Sequence, residues 1–353
     1  MIHHGGKLLE FSARFDIPVE DWLDLSTGVS PYTYPVSDIP TNVWNRLPED
    51  EDGLIEAAQR YYQSPHLLPI AGSQAGIQLL PSLLCEHRVL DKASTLPMFS
   101  TKALRVLLPK VGYKEHQHAW QQCVAKGFAE LSFYDGKPDE QSIANCDVLL
   151  VINPNNPQGI KFAPRIIQSW LSALPEHGCL VVDEAFMDMT PDHSALTLYP
   201  QGVPSNLFVF RSVGKFFGLA GMRLGFLFAS ADWLAKVQSR LGPWTVPGPT
   251  RYVAKQALLD QKWQKNNREQ LMSDGKKMRT LLSVFFQEIE GQTLFHTVKC
   301  AEAEKRHMQL AERGILVRLC DEGDALRFGL PREQSQWLRL EDTLRDIWSN
   351  LSR

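Results

Sequence analysis

Arg211-Ser212-Val213-Gly214-Lys215-Phe216-Phe217-Gly218-Leu219-Ala220-Gly221-Met222-Arg223-Leu224-Gly225 is the stretch on which the fold turns. It follows Asn206 to Phe210, a short run rich in Leu, Phe and Val and bounded by turn residues. That is the pattern of a parallel strand buried on both faces. A lysine after such a strand, among apolar neighbours, has its charged form disfavoured and becomes a usable amine nucleophile. Ser212 and Arg223 add a hydroxyl and a guanidinium suited to an anion. Most single lysines are solvated surface groups, so Lys215 gains its interest from this company.

Working outward, two more runs read as buried strands, Asp147 to Ile152 and Cys179 to Val182. Between them lies a helical pattern from Pro164 to Leu174, closed by Pro175 and Gly178. Such alternation implies an α/β layer with right-handed crossovers, in which ligands bind at the carboxyl ends of the strands. Three further motifs fall at strand ends or helix starts. Ala71-Gly72-Ser73-Gln74-Ala75-Gly76 turns into a helix, and a helix start offers N–H groups and a positive dipole end to a phosphate; an ordinary N-cap by Ser73 is the plainer reading. Asn153-Pro154-Asn155-Asn156-Pro157-Gln158-Gly159 follows a strand, and its two Asn-Pro steps force extended or turn geometry. An Asn held there can donate to a ligand oxygen, or the segment is simply a turn. Val181-Val182-Asp183-Glu184-Ala185-Phe186 ends an apolar strand on two acids. A buried carboxylate needs a cationic partner, and a protonated pyridine nitrogen would serve. A metal carboxylate or a surface strand end are the rivals; no His or Cys ligand set lies nearby in sequence, and no metal is expected.

Leu241 to Pro249 is dense in Pro and Gly and reads as a boundary. A long helical region from Thr250 to Glu288 should follow, then short strands near 294–298, 316–319 and 325–328. The expected division is an arm over residues 1–40 packing with the small domain, a large domain over 41–241 and a small C-terminal α/β domain over 242–353. The 353 residues are 44% hydrophobic and 22% charged, with net charge -3. Those values are ordinary for a globular protein and show no basic stripe for nucleic acid or membrane. Six scattered cysteines form no CxxC pair and read as reduced thiols. With no signal-peptide core and no membrane-length apolar run, a cytoplasmic protein is expected.

The four motifs resemble, in their order, those of the class I/II aminotransferases and their relatives. Asn156 and Asp183 are 27 residues apart and Asp183 and Lys215 are 32 apart, similar to that superfamily. The resemblance implies an aspartate-aminotransferase-like α/β fold, pyridoxal phosphate fold type I, whose large domain carries a mostly parallel seven-stranded sheet. It implies pyridoxal 5'-phosphate as cofactor, with Lys215 as the lysine that holds it. Asp183 would pair with the pyridine nitrogen and Asn156 with the phenolic oxygen. Gly72, Ser73, Gln74, Ser212 and Arg223 match the phosphate cup, and Phe99, in Pro97-Met98-Phe99-Ser100, matches the aromatic that stacks on the ring. Arg327, in Leu326-Arg327-Phe328-Gly329-Leu330-Pro331, matches the arginine for a substrate carboxylate.

Two departures narrow the branch. Phe186 stands where many aminotransferases have a tyrosine that reaches the cofactor. Leu47 stands where histidinol-phosphate aminotransferases have a tyrosine that reaches the partner subunit. The chain is more similar to the cobalamin-pathway threonine-phosphate decarboxylases, on His4-Gly5-Gly6, Trp22-Leu23-Asp24-Leu25-Ser26-Thr27-Gly28, Arg46-Leu47-Pro48, Gly72-Ser73-Gln74-Ala75, Asp183-Glu184-Ala185-Phe186 and Gly242-Pro243-Trp244. That branch usually has Asn where Ser30 stands, near the substrate. The resemblance implies decarboxylation of L-threonine O-3-phosphate to (R)-1-amino-2-propanol O-2-phosphate in a homodimer, with His4, Gly5 and Gly6 near the substrate phosphate. The alternatives are an aminotransferase on a phosphorylated amine such as histidinol phosphate, and a non-catalytic regulator or scaffold.

Overall fold

All five residues of Val148–Ile152 are buried, as are all five of Cys179–Asp183 and the first five of Leu207–Ser212. Side chains that leave water on both faces of a strand require a covered sheet. In the computed structural model, which describes residues 5–93 and 103–348, these segments are the middle of a seven-stranded sheet. In chain order the strands are β1 (Leu23–Asp24), β2 (Leu67–Ile70), β3 (Leu104–Pro109), β4 (Ala129–Tyr134), β5 (Val148–Ile152), β6 (Cys179–Asp183), β7 (Leu207–Ser212), β8 (Gly225–Phe228), β9 (Ile289–Gln292), β10 (Phe295–Lys299), β11 (Ile315–Leu316), β12 (Arg318–Leu319) and β13 (Ala325–Phe328). The large sheet runs β2-β8-β7-β6-β5-β3-β4. Its pairings from β4 to β7 are parallel, and β8 is antiparallel to both β7 and β2. This is the mostly parallel seven-stranded sheet expected. Its register sets Ile152, Asp183 and Phe210 side by side.

The helices that matter here are α1 (Leu8–Phe15), α2 (Thr41–Asn45), α3 (Leu54–Tyr62), α4 (Ser73–Ala93) and α5 (Lys114–Ala125). α4 lies so close to the sheet that a Cβ on Gly76 would meet Phe210 Cε1 at 2.4 Å and Ile70 Cδ1 at 3.1 Å. Phe210 is fully buried and cannot retreat. Gly76→Ala is therefore expected to lower stability by about 1–3 kcal/mol, the usual cost of overpacking, as a fall in Tm by calorimetry.

The chain divides into a larger unit, residues 34–156 and 160–261, and a smaller one, residues 5–33, 157–159 and 262–348. The divisions thus fall at 33/34 and 261/262, where composition suggested 40/41 and 241/242. The turn-rich segment after Leu241 is followed by Gly248–Leu259, a helix that packs back on α3 and stays with the larger unit. The expected helix from Thr250 to Glu288 is two helices, Gly248–Leu259 and Gln261–Ser283, broken at Asp260, whose backbone leaves the helical region (ψ 77°).

In the smaller unit a sheet runs β12-β13-β10-β9, and β1 pairs with β11 in parallel. The expected arm begins with α1, whose Leu8, Phe11 and Phe15 pack on Trp22, Ala311 and Leu316. His296 of β10 is 5% exposed, and its Nδ1 has no hydrogen-bond partner. Burial, and then Arg279, pushes its pKa down to about 4 from the usual 6.5. The unfolded chain takes up a proton that the folded protein refuses, so this contribution is full above pH ~6.5 and lost as pH falls towards 4. It amounts to about 3 kcal/mol. Thermal unfolding between pH 7 and 4.5 should show that loss, and His296→Gln should flatten it.

Among the described residues no helix is long and apolar enough to cross a membrane. All six cysteines are free thiols.

Candidate active site

The first cluster of the larger unit gathers the glycine turn, the start of α4 and Arg223. Gly72 has φ +72°, and a Cβ there would meet Arg223 Nη2 at 2.8 Å. A Cβ on Gly225 would meet the Ser73 amide nitrogen at 2.7 Å. Both glycines are thus required by close approach, and the result is a helix start lying against a guanidinium. Arg223 itself adopts φ +52° and is exposed. Ser212, at the end of β7, is paired with Gly225 of β8. N–H groups, the dipole of a 21-residue helix and an arginine together suit a phosphate.

The second cluster sits on Asp183, which is 3% exposed at the end of β6. Its Oδ1 accepts from the Ala185 amide at 3.0 Å, and its Oδ2 lies 2.8 Å from His116 Nε2. His116 stands in the first turn of α5, edge-on to the Tyr113 ring, with centroids 6.3 Å apart. The Tyr113 hydroxyl donates to Gln74 Oε1 at 3.1 Å, and Gln74 Nε2 donates to Glu115 Oε2 at 2.5 Å. The start of α4 and the start of α5 are thereby joined by side chains.

Lys215 lies in the short helical turn Val213–Phe216 that follows β7. Its Nζ is 5.4 Å from the centroid of the Phe186 ring. In the Asn-Pro loop, Asn153 is spent on structure: its Oδ1 accepts from the Phe162 amide at 2.8 Å and its Nδ2 donates to Phe162 O at 3.1 Å. Asn155 Nδ2 donates to Val111 O at 3.0 Å. Asn153 and Asn155 are thus tied into the framework of the loop that carries Asn156.

The smaller unit gathers its own set. The Gly6 amide donates to Ser26 Oγ at 2.8 Å, and a Cβ on Gly5 would fall 2.4 Å from Ser26 O. Ser26 in turn donates to Asp24 Oδ1 from both its hydroxyl and its amide, at 2.6 and 2.8 Å. Arg327 of β13 is 2% exposed and donates through Nη2 to Ser26 O. Directly across the ladder from it is Arg318 of β12. Burial, and then the like charge of Arg318, pushes Arg327 down to about 9. The Arg318 guanidinium itself pairs with Asp321 Oδ2 at 3.2 Å. Ser30 is buried, and its hydroxyl donates to Tyr32 O at 3.1 Å and accepts from Tyr32 N at 3.2 Å. His4 and Phe99 lie outside the described residues.

The sequence pattern of the aminotransferases of class I and II matches residues 52–341. The chain belongs to that family. Within the family it is 41% identical to a threonine-phosphate decarboxylase of Pseudomonas aeruginosa, over 98% of this chain and 97% of that one. It is 35% identical to a threonine-phosphate decarboxylase of a Sinorhizobium species, over 97% of each. The fold matches the crystal structure of a histidinol-phosphate aminotransferase from Clostridium acetobutylicum with a TM-score of 0.76, at 20% identity, over 92% of this chain and 99% of that one.

Membership of the family brings pyridoxal 5'-phosphate with it, and the residues fit that group. The cradle that a Cβ on Gly72 would fill suits its phosphate, and the buried Asp183 carboxylate suits its ring nitrogen. The family's motifs did not lead to four side chains that the structure adds. Tyr113, Glu115 and His116 join the cofactor cluster through Gln74 and Asp183, and Arg318 joins Arg327. Glycine before an aromatic in the turn from β3 into α5 was the available signal for Tyr113; nothing local marks Arg318, because only the strand register pairs it.

Proposed function

We propose that the chain is a pyridoxal-phosphate-dependent decarboxylase that converts L-threonine O-3-phosphate to (R)-1-amino-2-propanol O-2-phosphate and CO2. The observation that carries this reading is the pair of threonine-phosphate decarboxylases aligned along nearly the full chain. Phe186 and the 62%-exposed Leu47 support it, since neither supplies the hydroxyl that an aminotransferase would use there.

When bound, the cofactor supplies a sink for the electron pair left at Cα when a bond breaks. The remaining work falls to side chains. Ser73, Ser212 and Arg223 would hold the cofactor's phosphate, Asn156 its phenolic oxygen, and an aromatic, Tyr113 in place of the expected Phe99, would cover its ring. Asp183 keeps a proton on the ring nitrogen, with His116 orienting the carboxylate. Lys215 would hold the cofactor through its amine. Arg327 orients the substrate carboxylate, with Arg318, His4, Gly5 and Gly6 assigned to the anionic groups. By orienting that carboxylate, Arg327 would decide which bond at Cα breaks. After CO2 leaves, Lys215 Nζ delivers a proton to Cα.

The test feeds L-threonine O-3-phosphate and follows CO2 and aminopropanol phosphate. The same protein is then given histidinol phosphate with 2-oxoglutarate. Glutamate formation without CO2 release would overturn the decarboxylase in favour of the aminotransferase.

We also propose a homodimer in the cytoplasm. On the larger unit, Val36, Trp44, Leu47 and Trp244 are 54–64% exposed, large apolar side chains that an assembly would cover. The six free thiols fit a reducing compartment. Light scattering should give twice the chain mass; a fully active monomer would refute the assembly.

A further inference from the structure

The larger unit buries a cluster of ionisable side chains that the mechanism above leaves unused. Arg211 of β7 is 2% exposed, Glu184 0% and Asp188 1%. Arg211 Nη1 donates to Glu184 Oε2 and to Ser194 Oγ, both at 3.2 Å, and its Nη2 donates to Asp188 Oδ1. Ser194 Oγ donates to Glu184 Oε2 at 2.5 Å, and the Ala195 amide donates to Glu184 Oε1 at 2.7 Å. The guanidinium also lies 4.7 Å from the centroid of the Tyr62 ring. Taking such groups out of water is costly, and burial pushes the Glu184 carboxyl upward against the pull of Arg211. A hydrophobic cluster of the same volume would pack without that cost, so the fixed geometry of the network is what it adds.

Glu184, Asp188, Ser194 and Ala195 all lie in the segment between β6 and β7. That segment also carries Phe186, the ring beside Lys215 Nζ. Arg211 stands one residue before Ser212 and four before Lys215. One guanidinium therefore fastens the segment at three side chains to the strand that leads into the lysine. We propose that Arg211 is a positioning residue that fixes the 184–195 segment and, through it, seats the Phe186 ring beside the Lys215 amine. The role rests on the reading of Lys215 as the cofactor lysine. A ring face near a cationic nitrogen stabilises its protonated form. A loosened segment withdraws that support, and the nitrogen then loses its proton at lower pH. Lysine keeps the charge of Arg211 but not its planar fork.

The test uses Arg211→Lys and, in case that variant folds poorly, Ser194→Ala, which removes the hydroxyl that bridges Glu184 and Arg211 and also caps the Leu196 amide. Hydrogen exchange is measured on protein without added cofactor. The pH midpoint of the visible absorbance is measured with pyridoxal phosphate bound. Exchange should speed by about tenfold or more across 184–195 while β5 and β6 keep wild-type rates. The midpoint should fall by about half a pH unit in Arg211→Lys and by less in Ser194→Ala. A midpoint unchanged in both variants, or exchange that rises evenly through the sheet, would mean a merely structural network and would overturn the proposal. Wild-type protein that borohydride fails to tag at Lys215 would instead refute the reading of the lysine; the exchange pattern would still decide whether Arg211 anchors the segment.

Discussion

Lys215→Ala is expected to give a folded protein that forms no borohydride-reducible linkage to pyridoxal phosphate and turns over L-threonine O-3-phosphate at least about 10²–10⁴-fold more slowly, the range that a positioned proton carrier supplies. Folding should survive because Lys215 occupies a four-residue turn after β7 and is not among the buried residues of the core. Turnover should not, because two roles end together. The amine no longer holds the cofactor, and no proton reaches Cα after CO2 leaves. Absorbance and borohydride reduction followed by peptide mapping read the first role, and CO2 release reads the second. Tagging of another lysine in the wild type would show the assignment to be mistaken.

Asp183→Asn should be the next most damaging change. The carboxylate is 3% exposed, so its field is poorly screened. At ~4 Å and an effective dielectric of ~20, its attraction for a ring proton is about 4 kcal/mol before desolvation is subtracted. Full loss would slow turnover by up to about 10³-fold. Asparagine keeps the shape and loses the charge, so cofactor should still bind while kcat falls. His116→Ala should cost less, since His116 acts only through Asp183 at 2.8 Å. If the two variants lost equal activity, the ranking of their roles would be wrong.

Much of the larger unit was legible because β5, β6 and β7 are buried on both faces and read as continuous apolar runs. The cofactor motifs were legible for a related reason: glycines, Asn-Pro steps and acids interrupt those runs only where the strands end. What stayed hidden depends on pairing between distant segments. His116 meets Asp183 across 67 residues, and a histidine on a helix start carries no mark of that partner. Arg318 faces Arg327 only because of one register between β12 and β13. The division into units was misread at Leu241–Pro249 because a dense turn marks a bend in the chain and says nothing about what the following helix packs on.

The smaller unit is assembled from both ends of the chain, and this bears on synthesis. Leu8, Phe11 and Phe15 of α1 find part of their packing on Ala311 and Leu316, and Leu23 pairs with Ile315. At ribosomal rates of about 5–20 residues per second, roughly 15–60 s separate the emergence of those two sets. Through that interval the larger unit can close around its own sheet while the amino-terminal stripe waits without its partners. The nascent chain therefore carries the apolar side chains of Leu8, Phe11 and Phe15 before the rest of the smaller unit exists to cover them.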